Sequence, residues 1–137
     1  MSGEFKWQVR VYYEDTDAAG IVFYANYLRY MERARTEWLR SVGYEHDMLK
    51  NTHGILFAVK NVNIEYVKPA YLDELLTVTS SLIKKRGASL IFQQTMHNEN
   101  NDLLIEAEIK VACLNATTLK ASAMPEALLL ELANNDT

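Results

Sequence analysis

Cysteine and histidine are scarce in this sequence of 137 residues, which has one cysteine and three histidines. A lone cysteine cannot form an internal disulfide or a cysteine-rich zinc site, so we interpret Cys113 as a small buried hydrophobic residue. His46, His53 and His97 include no pair at the four-residue spacing of a helical zinc site. We therefore expect solvated histidines and no bound metal.

Long apolar runs and an excess of positive charge are also missing. No run approaches the roughly 18 apolar residues that a membrane-spanning helix needs, and the first residues show no apolar signal-peptide core. We therefore expect a cytoplasmic protein. Lys and Arg number 14 against 18 Asp and Glu, a formal net charge of −4. An acidic chain has no general attraction for nucleic acid, so no nucleic-acid partner is expected and an anionic ligand needs a local basic cluster.

Two common catalytic motifs are absent as well. The sequence has no Gly-x-Ser-x-Gly, which argues against a serine hydrolase, and no Gly-x-x-x-x-Gly-Lys, which argues against a phosphate-binding loop. A length of 137 residues is too short for a two-domain enzyme with a complete dinucleotide-binding half. We expect a single domain over residues 1–137.

The hydrophobic pattern that is present predicts one long helix. Apolar side chains recur at three- and four-residue steps, which is the spacing of one helix face. Asn26 is predicted near the start of this helix, and Gly43 is well placed as its C-terminal cap. The predicted buried stripe consists of Tyr27, Tyr30, Met31, Ala34, Trp38 and Val42.

The rest of the chain reads mainly as strands, predicted over residues 5–14, 55–67, 75–86, 88–97 and 103–114. A tight hairpin is predicted at Arg86-Gly87, and short helices are predicted over 45–52 and 126–133. One face of the first strand should hold Phe5, Trp7, Val9, Val11 and Tyr13, and one face of the second should hold Leu56, Ala58, Val62, Ile64 and Tyr66. This order predicts an α+β fold, a mainly antiparallel five-stranded sheet wrapped around one long central helix.

Asp15-Thr-Asp-Ala-Ala-Gly20 separates the first strand from the long helix, and three interpretations compete for it. An EF-hand calcium loop is disfavoured because its fifth and twelfth positions would be Ala19 and Asn26. A phosphotransfer aspartate belongs to a larger α/β fold than this length allows. A turn in which an aspartate caps backbone amides is the simplest structural interpretation.

The position of this segment adds a chemical interpretation. A carboxylate just before a helix faces free N–H groups and the positive end of the helix dipole. The same N–H groups can hold the oxyanion that forms when a carbonyl is attacked. An aspartate is already ionised at neutral pH and needs no activating base. These groups together suffice for acyl transfer or for hydrolysis of an activated ester.

One long stretch of the sequence resembles a known family. Residues 11–39, which begin Val-Tyr-Tyr-Glu-Asp-Thr-Asp-Ala-Ala-Gly-Ile-Val-Phe-Tyr, are similar to the signature of hotdog-fold acyl-CoA thioesterases. The likeness is to the bacterial YbgC type, associated with the Tol-Pal system, within the 4-hydroxybenzoyl-CoA thioesterase family. It extends from Phe5 to Pro125 through segments at 66–75, 86–93 and 106–114. The resemblance implies a hotdog fold and hydrolysis of an acyl-CoA to free acid and CoA, with CoA as part of the substrate and no cofactor.

The resemblance also assigns roles within the motif. The second aspartate is the catalytic carboxylate of the family, which places this role on Asp17 as nucleophile or general base. The helix-start backbone N–H that binds the thioester carbonyl falls on or beside Tyr24, and Gly20 allows the close approach. Many YbgC-type members carry histidine where this chain has Tyr24. The resemblance therefore implies that activity here rests on Asp17 and not on a histidine base.

A short basic cluster is the candidate site for the CoA phosphates. Lys84, Lys85 and Arg86 lie at the predicted hairpin. The resemblance places the CoA-phosphate contacts of the family near this hairpin, which makes Arg86 the preferred candidate of the three. Lys60 is a weaker candidate. The cluster also fits a solvated hairpin tip that discourages edge pairing.

The resemblance further implies a homo-oligomer. Hotdog domains pair their sheets edge to edge as dimers, and dimers commonly pair into tetramers with the active site between subunits. A tetramer would explain apolar residues beyond the needs of one core, such as Tyr12, Phe23 and Tyr71. Whether an acyl carrier protein carries the acyl group in place of CoA stays open. A second class of function also stays open, a non-catalytic hotdog module that binds acyl groups or partner proteins.

Overall fold

The computed structural model of the protein describes residues 3–133, over which the chain forms five strands and three helices. The strands are β1 (Glu4–Arg10), β2 (Ile55–Tyr66), β3 (Leu75–Arg86), β4 (Ser89–His97) and β5 (Leu103–Asn115). The helices are α1 (Asn26–Ser41), α2 (His46–His53) and α3 (Glu126–Ala133), and a 3₁₀ turn covers Tyr13–Asp15. The ends of the predicted domain, residues 1–2 and 134–137, lie outside the described residues, and the single-domain assignment stays a prediction.

Every neighbouring pair of strands is antiparallel, in the order β1-β3-β4-β5-β2. Helix α1 packs on one face of this sheet, and the hydrophobic core lies between them. Trp38 of α1 is fully buried, with its ring 6.1 Å from that of Phe5 in β1 and 5.8 Å from that of Phe92 in β4. The predicted α+β class and hotdog fold are confirmed.

The long helix is confirmed in both its position and its buried face. Five of the six residues of the predicted stripe are at most 3% exposed, and Val42 lies half-buried just after the last residue of α1. Gly43 then adopts φ +94°, a left-handed conformation that favours glycine, and its N–H bonds to the carbonyl of Arg40. The helix therefore ends beside the predicted cap.

A polar network inside the core joins α1 to the sheet. Gln94 of β4 is fully buried, and its amide donates to the Met31 carbonyl at 3.0 Å and to Ser80 Oγ at 2.8 Å. Its side-chain oxygen accepts a hydrogen bond from Arg35 Nη1 at 2.8 Å. Buried polar groups without hydrogen-bond partners are costly, so α1 must sit where these bonds to Gln94 can form. The network therefore fixes the position of α1 on the sheet.

The first strand is shorter than predicted. β1 ends at Arg10 and not at residue 14, since the Asp15 carboxylate accepts the N–H of Tyr12 and the chain turns into a 3₁₀ helix. Val11 keeps its predicted buried position, but Tyr13 is 83% exposed. The prediction for Tyr13 is wrong because two-residue alternation ends where the chain leaves the sheet.

The predicted apolar face of the second strand is split by a β-bulge at Lys60. The pairing of β2 with β5 shifts by one residue between Val59 and Asn61. A bulge of one residue reverses which side chains face the core, so the single predicted face is wrong. Leu56 and Ala58 lie on the outer face of the sheet, whereas Val62, Ile64 and Tyr66 lie opposite core residues of β5.

The remaining elements agree with their predictions. β3 and β4 meet in a two-residue turn in which Gly87 has φ +56°. The two short helices, α2 and α3, occupy the predicted segments, and α3 follows Pro125. None of the helices between residues 3 and 133 has the length and apolar character needed to cross a membrane.

Candidate active site

The predicted motif folds into a small hairpin, which we call the acidic loop (residues 15–23). The Asp17 N–H bonds to the Ile21 carbonyl at 2.9 Å, and the Gly20 N–H bonds to the Asp17 carbonyl at 3.0 Å. Gly20 has φ +79°, which a residue with a side chain adopts only with strain. Glycine at this position therefore allows the tight turn that presents Asp17.

Asp15 is the structural member of the aspartate pair. It is only 9% exposed, and its carboxylate accepts hydrogen bonds from the Tyr12 N–H at 2.8 Å and from Asn26 Nδ2 at 2.9 Å. Its carbonyl accepts the Phe23 N–H at 2.9 Å. Asp15 thus ties the acidic loop to the first residue of α1, and the capping interpretation holds for this aspartate.

Asp17 is the chemically available member of the pair. Its side chain is exposed, and its Oδ1 accepts the N–H of Ala19 at 2.8 Å. No other hydrogen bond or ion pair reaches this carboxylate from residues 3–133. Asp17 is close enough to α1 to affect Tyr27 in its first turn. Burial is the main cause that raises the pKa of the Tyr27 hydroxyl, and the negative charge of Asp17 raises it further. Asp17 therefore lies near the start of α1 with one oxygen open to a substrate.

The start of α1 carries free backbone donors. The carbonyl of Phe23 accepts the Asn26 N–H at 2.8 Å, so the chain turns through Tyr24 and Ala25. The N–H groups of Tyr24 and Ala25 have no acceptor anywhere in the described part of the chain. The first turn of α1 contains no acidic residue that would compete for them. Such donors at the positive end of a helix can bind a carbonyl oxygen on which negative charge develops.

The connection between β2 and β3 holds this helix start in place. The Val22 N–H bonds to the Ala70 carbonyl at 2.9 Å, and the Ala70 N–H donates to the Tyr27 hydroxyl at 3.0 Å. The Tyr66 hydroxyl donates to the Tyr24 carbonyl at 3.1 Å. The sequence did not predict these hydrogen bonds. A tyrosine predicted on the inner face of a strand is a signal for them, because a buried tyrosine hydroxyl usually finds a hydrogen-bond partner.

A second buried tyrosine faces the acidic loop from α1. Tyr30 is 1% exposed, and both burial and the neighbouring Asp15 carboxylate raise the pKa of its hydroxyl. An ionised Tyr30 would place a second negative charge beside Asp15. Tyr30 therefore stays neutral beside Asp15.

Exposed aromatic residues surround the site. Phe23 and Tyr24 are 48% and 64% exposed, and their rings lie 4.8 Å apart. Tyr12 and Tyr71 are exposed as well, so the apolar residues singled out in the sequence lie at the surface and outside the core. Exposed aromatic side chains that cluster in this way are typical of surfaces that bind apolar ligands or other chains.

The basic residues predicted to bind CoA are not brought to this site within one chain. β1 pairs with β3 so that Arg10, which precedes the acidic loop, lies opposite Leu75 at the first end of β3. Lys84, Lys85 and Arg86 occupy the other end, about 30–36 Å from Leu75 along the strand. All three side chains are exposed.

Lys60 shares the basic end of the sheet. Val59, beside the bulge, pairs with Val111, which pairs with Leu90, which in turn pairs with Lys85. One continuous row across four strands therefore separates Lys60 from Lys85, a distance of about 14 Å. The four predicted CoA-binding residues lie at one end of the sheet, and Asp17, Gly20 and Tyr24 lie at the other.

The acidic loop contains no histidine. His46 and His53 are exposed on α2, where His46 Nε2 is 3.1 Å from Thr36 Oγ1, and His97 is half-buried at the end of β4. Within residues 3–133, no group of three His, Cys, Asp or Glu side chains is arranged to hold a metal ion. The site is thus a carboxylate and backbone amides.

The acidic loop and α1 fall within a region that matches a known family model. Residues 11–132 match the model of the thioesterase-like superfamily. This match over most of the chain, together with the hotdog fold, places the protein in the thioesterase class.

Individual relatives make the family more specific. The chain is 42% identical over 127 residues to the acyl-CoA thioester hydrolase YbgC of Escherichia coli, covering 93% of this chain and 94% of that protein. It is 41% identical over 122 residues to the acyl-CoA thioesterase YbgC of Haemophilus influenzae, covering 89% of each. The crystal structure of a probable thioesterase from Bartonella henselae superposes with a TM-score of 0.85 at 31% identity, covering 90% of this chain and all of that one. The chain belongs to the YbgC-type acyl-CoA thioesterases, as the sequence motif predicted.

Proposed function

We propose that this chain hydrolyses acyl-CoA thioesters to the free acid and CoA, the activity that the names of its YbgC relatives state for those proteins. The observation that carries the proposal is the acidic loop, which presents an exposed carboxylate with an open oxygen and leads into two unbonded N–H groups at a helix start. In this proposal no cofactor takes part, because CoA enters as part of the substrate.

Asp17 is the catalytic residue of the proposed reaction, in one of two roles. As a nucleophile, its oxygen bonds to the thioester carbonyl carbon, the C–S bond breaks, and water then hydrolyses the resulting anhydride. As a general base, it takes a proton from the water that attacks the carbonyl carbon, and the C–S bond then breaks to release CoA. In both roles negative charge develops on the carbonyl oxygen, and the N–H of Tyr24 stabilises that charge. Gly20 keeps the loop free of a side chain at its tip.

A second copy of the chain completes the site in this proposal. β2 is an edge strand that pairs only with β5 among the described strands, and it carries exposed Val59 and Val62. If two β2 edges pair antiparallel about a two-fold axis, the Tyr66 end of one strand lies beside the Ile55 end of the other. The partner's basic end then approaches the acidic loop, because Tyr66 contacts Tyr24. The tetramer, the cytoplasmic location and the acyl carrier protein stay predictions.

Arg86→Ala is expected to raise KM for acyl-CoA by roughly 10-fold or more and to leave kcat nearly unchanged. CoA phosphates lie far from the reacting bond, so their binding is uniform between ground and transition states. A charged hydrogen bond of this kind contributes about 1–3 kcal/mol, and salt weakens it when it is exposed. Steady-state kinetics at low and high salt measure the effect.

Two controls make this test specific. Lys6→Ala removes an exposed charge from β1, where Lys6 lies opposite Thr79, seven residues before Arg86 along β3, and it is expected to leave KM unchanged. The matching N-acetylcysteamine thioester lacks the nucleotide, so Arg86→Ala should not affect its hydrolysis. If both thioesters lose activity in the same proportion, Arg86 is structural and CoA binds elsewhere.

A substrate panel separates the proposed enzyme from the alternative, a hotdog module that only binds acyl groups or proteins. We expect the purified protein to release CoA from at least one of a series of short, long and aromatic acyl-CoAs. The same acyl groups on an acyl carrier protein show which carrier is preferred. Tight binding of acyl-CoA with no release across the whole panel would favour the binding module.

A further inference from the structure

The carbonyl of Tyr24 is held by a side chain and not by the helix that follows. In a regular α-helix this carbonyl would accept the N–H of Leu28, but Leu28 bonds to the Ala25 carbonyl at 3.2 Å. The Tyr24 carbonyl accepts the hydroxyl of Tyr66, the last residue of β2, at 3.1 Å. Within residues 3–133, neither the Tyr24 carbonyl nor the Tyr66 hydroxyl makes another hydrogen bond.

Holding this carbonyl also fixes a neighbouring donor. The carbonyl of one residue and the N–H of the next belong to the same planar peptide group, so the Tyr66 hydroxyl sets the direction of the Ala25 N–H. Ala25 has helical angles, φ −74° and ψ −19°, and its N–H is one of those that a helix start leaves free. A hydrogen bond to the carbonyl also polarises the peptide and makes its N–H a stronger donor.

The ring of Tyr66 is itself held in place. Its centroid lies 6.4 Å from that of Tyr24 and 5.8 Å from that of Tyr27, both in edge-on arrangements. The Tyr27 hydroxyl is tied to the Ala70 N–H at 3.0 Å. Partial burial raises the pKa of the Tyr66 hydroxyl, so this group stays protonated and donating at neutral pH. The hydroxyl is therefore a donor on the carbonyl side of the Tyr24–Ala25 peptide, opposite the Ala25 N–H.

We propose that Tyr66 is a positioning residue of the reaction, whose hydroxyl orients the Tyr24–Ala25 peptide so that the Ala25 N–H joins the Tyr24 N–H in binding the thioester carbonyl oxygen. The inference rests on the proposed function of the acidic loop and adds a second donor and its support. Tyr66 does not touch the substrate in this role. It acts on the charge that develops in the transition state.

Tyr66→Phe tests the role of the hydroxyl while keeping the ring and its contacts. We expect kcat to fall about tenfold with KM within about twofold, because the lost orientation affects the developing oxyanion more than the bound substrate. Tyr44→Phe is the matched control. It removes the hydroxyl of a half-buried tyrosine beyond the C-terminal end of α1, whose ring contacts that of His53, and it should leave both constants unchanged.

A vibrational measurement separates positioning from a general loss of structure. An acyl-CoA labelled with ¹³C at the carbonyl is bound to Asp17→Asn protein, in which turnover is slow, and its carbonyl stretch is recorded by difference infrared spectroscopy. Adding Tyr66→Phe should shift the band toward its position in solution, since the carbonyl oxygen loses hydrogen bonding. A reduced kcat with an unshifted band would overturn the inference, and so would an unchanged kcat.

The two proposals fail in different ways. If Asp17→Asn hydrolyses acyl-CoA at the rate of the unmodified protein, the proposed function of the acidic loop is wrong. If Asp17→Asn is inactive but Tyr66→Phe behaves like Tyr44→Phe, the acidic loop is the site and only the role of Tyr66 is wrong.

Discussion

Asp17→Asn is expected to lower kcat for acyl-CoA hydrolysis by a factor on the order of 10²–10⁴, the loss typical of a positioned catalytic group. Asparagine has the same shape, and its side-chain oxygen can keep the 2.8 Å hydrogen bond from the Ala19 N–H. What the substitution removes is the negative charge. Both attack on the thioester carbon and proton removal from water require that charge, so the loss is expected whichever role Asp17 has. Release of CoA, followed with a thiol reagent, measures the effect.

A control on another aspartate makes the result specific. Asp47 is exposed in the first turn of α2, and Asp47→Asn should leave kcat unchanged. The Asp17→Asn protein should also unfold at the same urea concentration as the unmodified protein. Equal kcat for Asp17→Asn and the unmodified protein on every acyl-CoA tested would remove Asp17 from the mechanism.

Asp15→Asn, the same substitution two residues earlier, is expected to act on stability and to lower the free energy of unfolding by about 2–3 kcal/mol. The two oxygens of the buried Asp15 carboxylate accept from two different donors, the Tyr12 N–H and Asn26 Nδ2. An asparagine offers one oxygen and one NH₂ group. One buried donor would then face another donor and lose its partner.

Urea denaturation of both variants at one protein concentration measures this difference. Asp17→Asn is the matched control, because its side chain is exposed and its one hydrogen bond can be kept. We expect a lower midpoint for Asp15→Asn alone. Equal midpoints for the two variants would mean that the Asp15 carboxylate does not hold the acidic loop to α1.

The elements with strong local signals could be predicted from the sequence. The stripe of α1 repeats every three to four residues over more than four turns, so both the helix and its buried face were predictable. The turn between β3 and β4 needed Gly87 with a positive φ, and glycine next to a strand is a direct signal of a turn. These features depend on residues that are near one another in the chain.

The β-bulge could not be predicted because its signal is ambiguous. A polar Lys60 within an apolar face looks the same whether it is one polar side chain on that face or the extra residue of a bulge. The two cases differ only in the pairing with β5, where the register shifts between Val59 and Asn61. The exposed position of Tyr13 was missed for a related reason, since the strand ends where Asp15 caps the turn.

The residues of the site could be predicted from the sequence, but the separate roles of Asp15 and Asp17 could not. The motif contains two aspartates, and only the fold shows that Asp15 bonds to Asn26, 11 residues away, while Asp17 stays exposed. The bond between Tyr66 and Tyr24 joins residues 42 positions apart, which local patterns do not reveal. The distance between the acidic loop and Arg86 likewise follows from the length and direction of β3.

The most direct test of the account is a crystal structure of the protein with a non-hydrolysable acyl-CoA analogue that keeps the carbonyl group. We predict the carbonyl oxygen within about 2.7–3.1 Å of the Tyr24 backbone nitrogen, with the Asp17 carboxylate facing the carbonyl carbon. A carbonyl bound away from the start of α1, with Asp17 in contact only with water, would contradict the account.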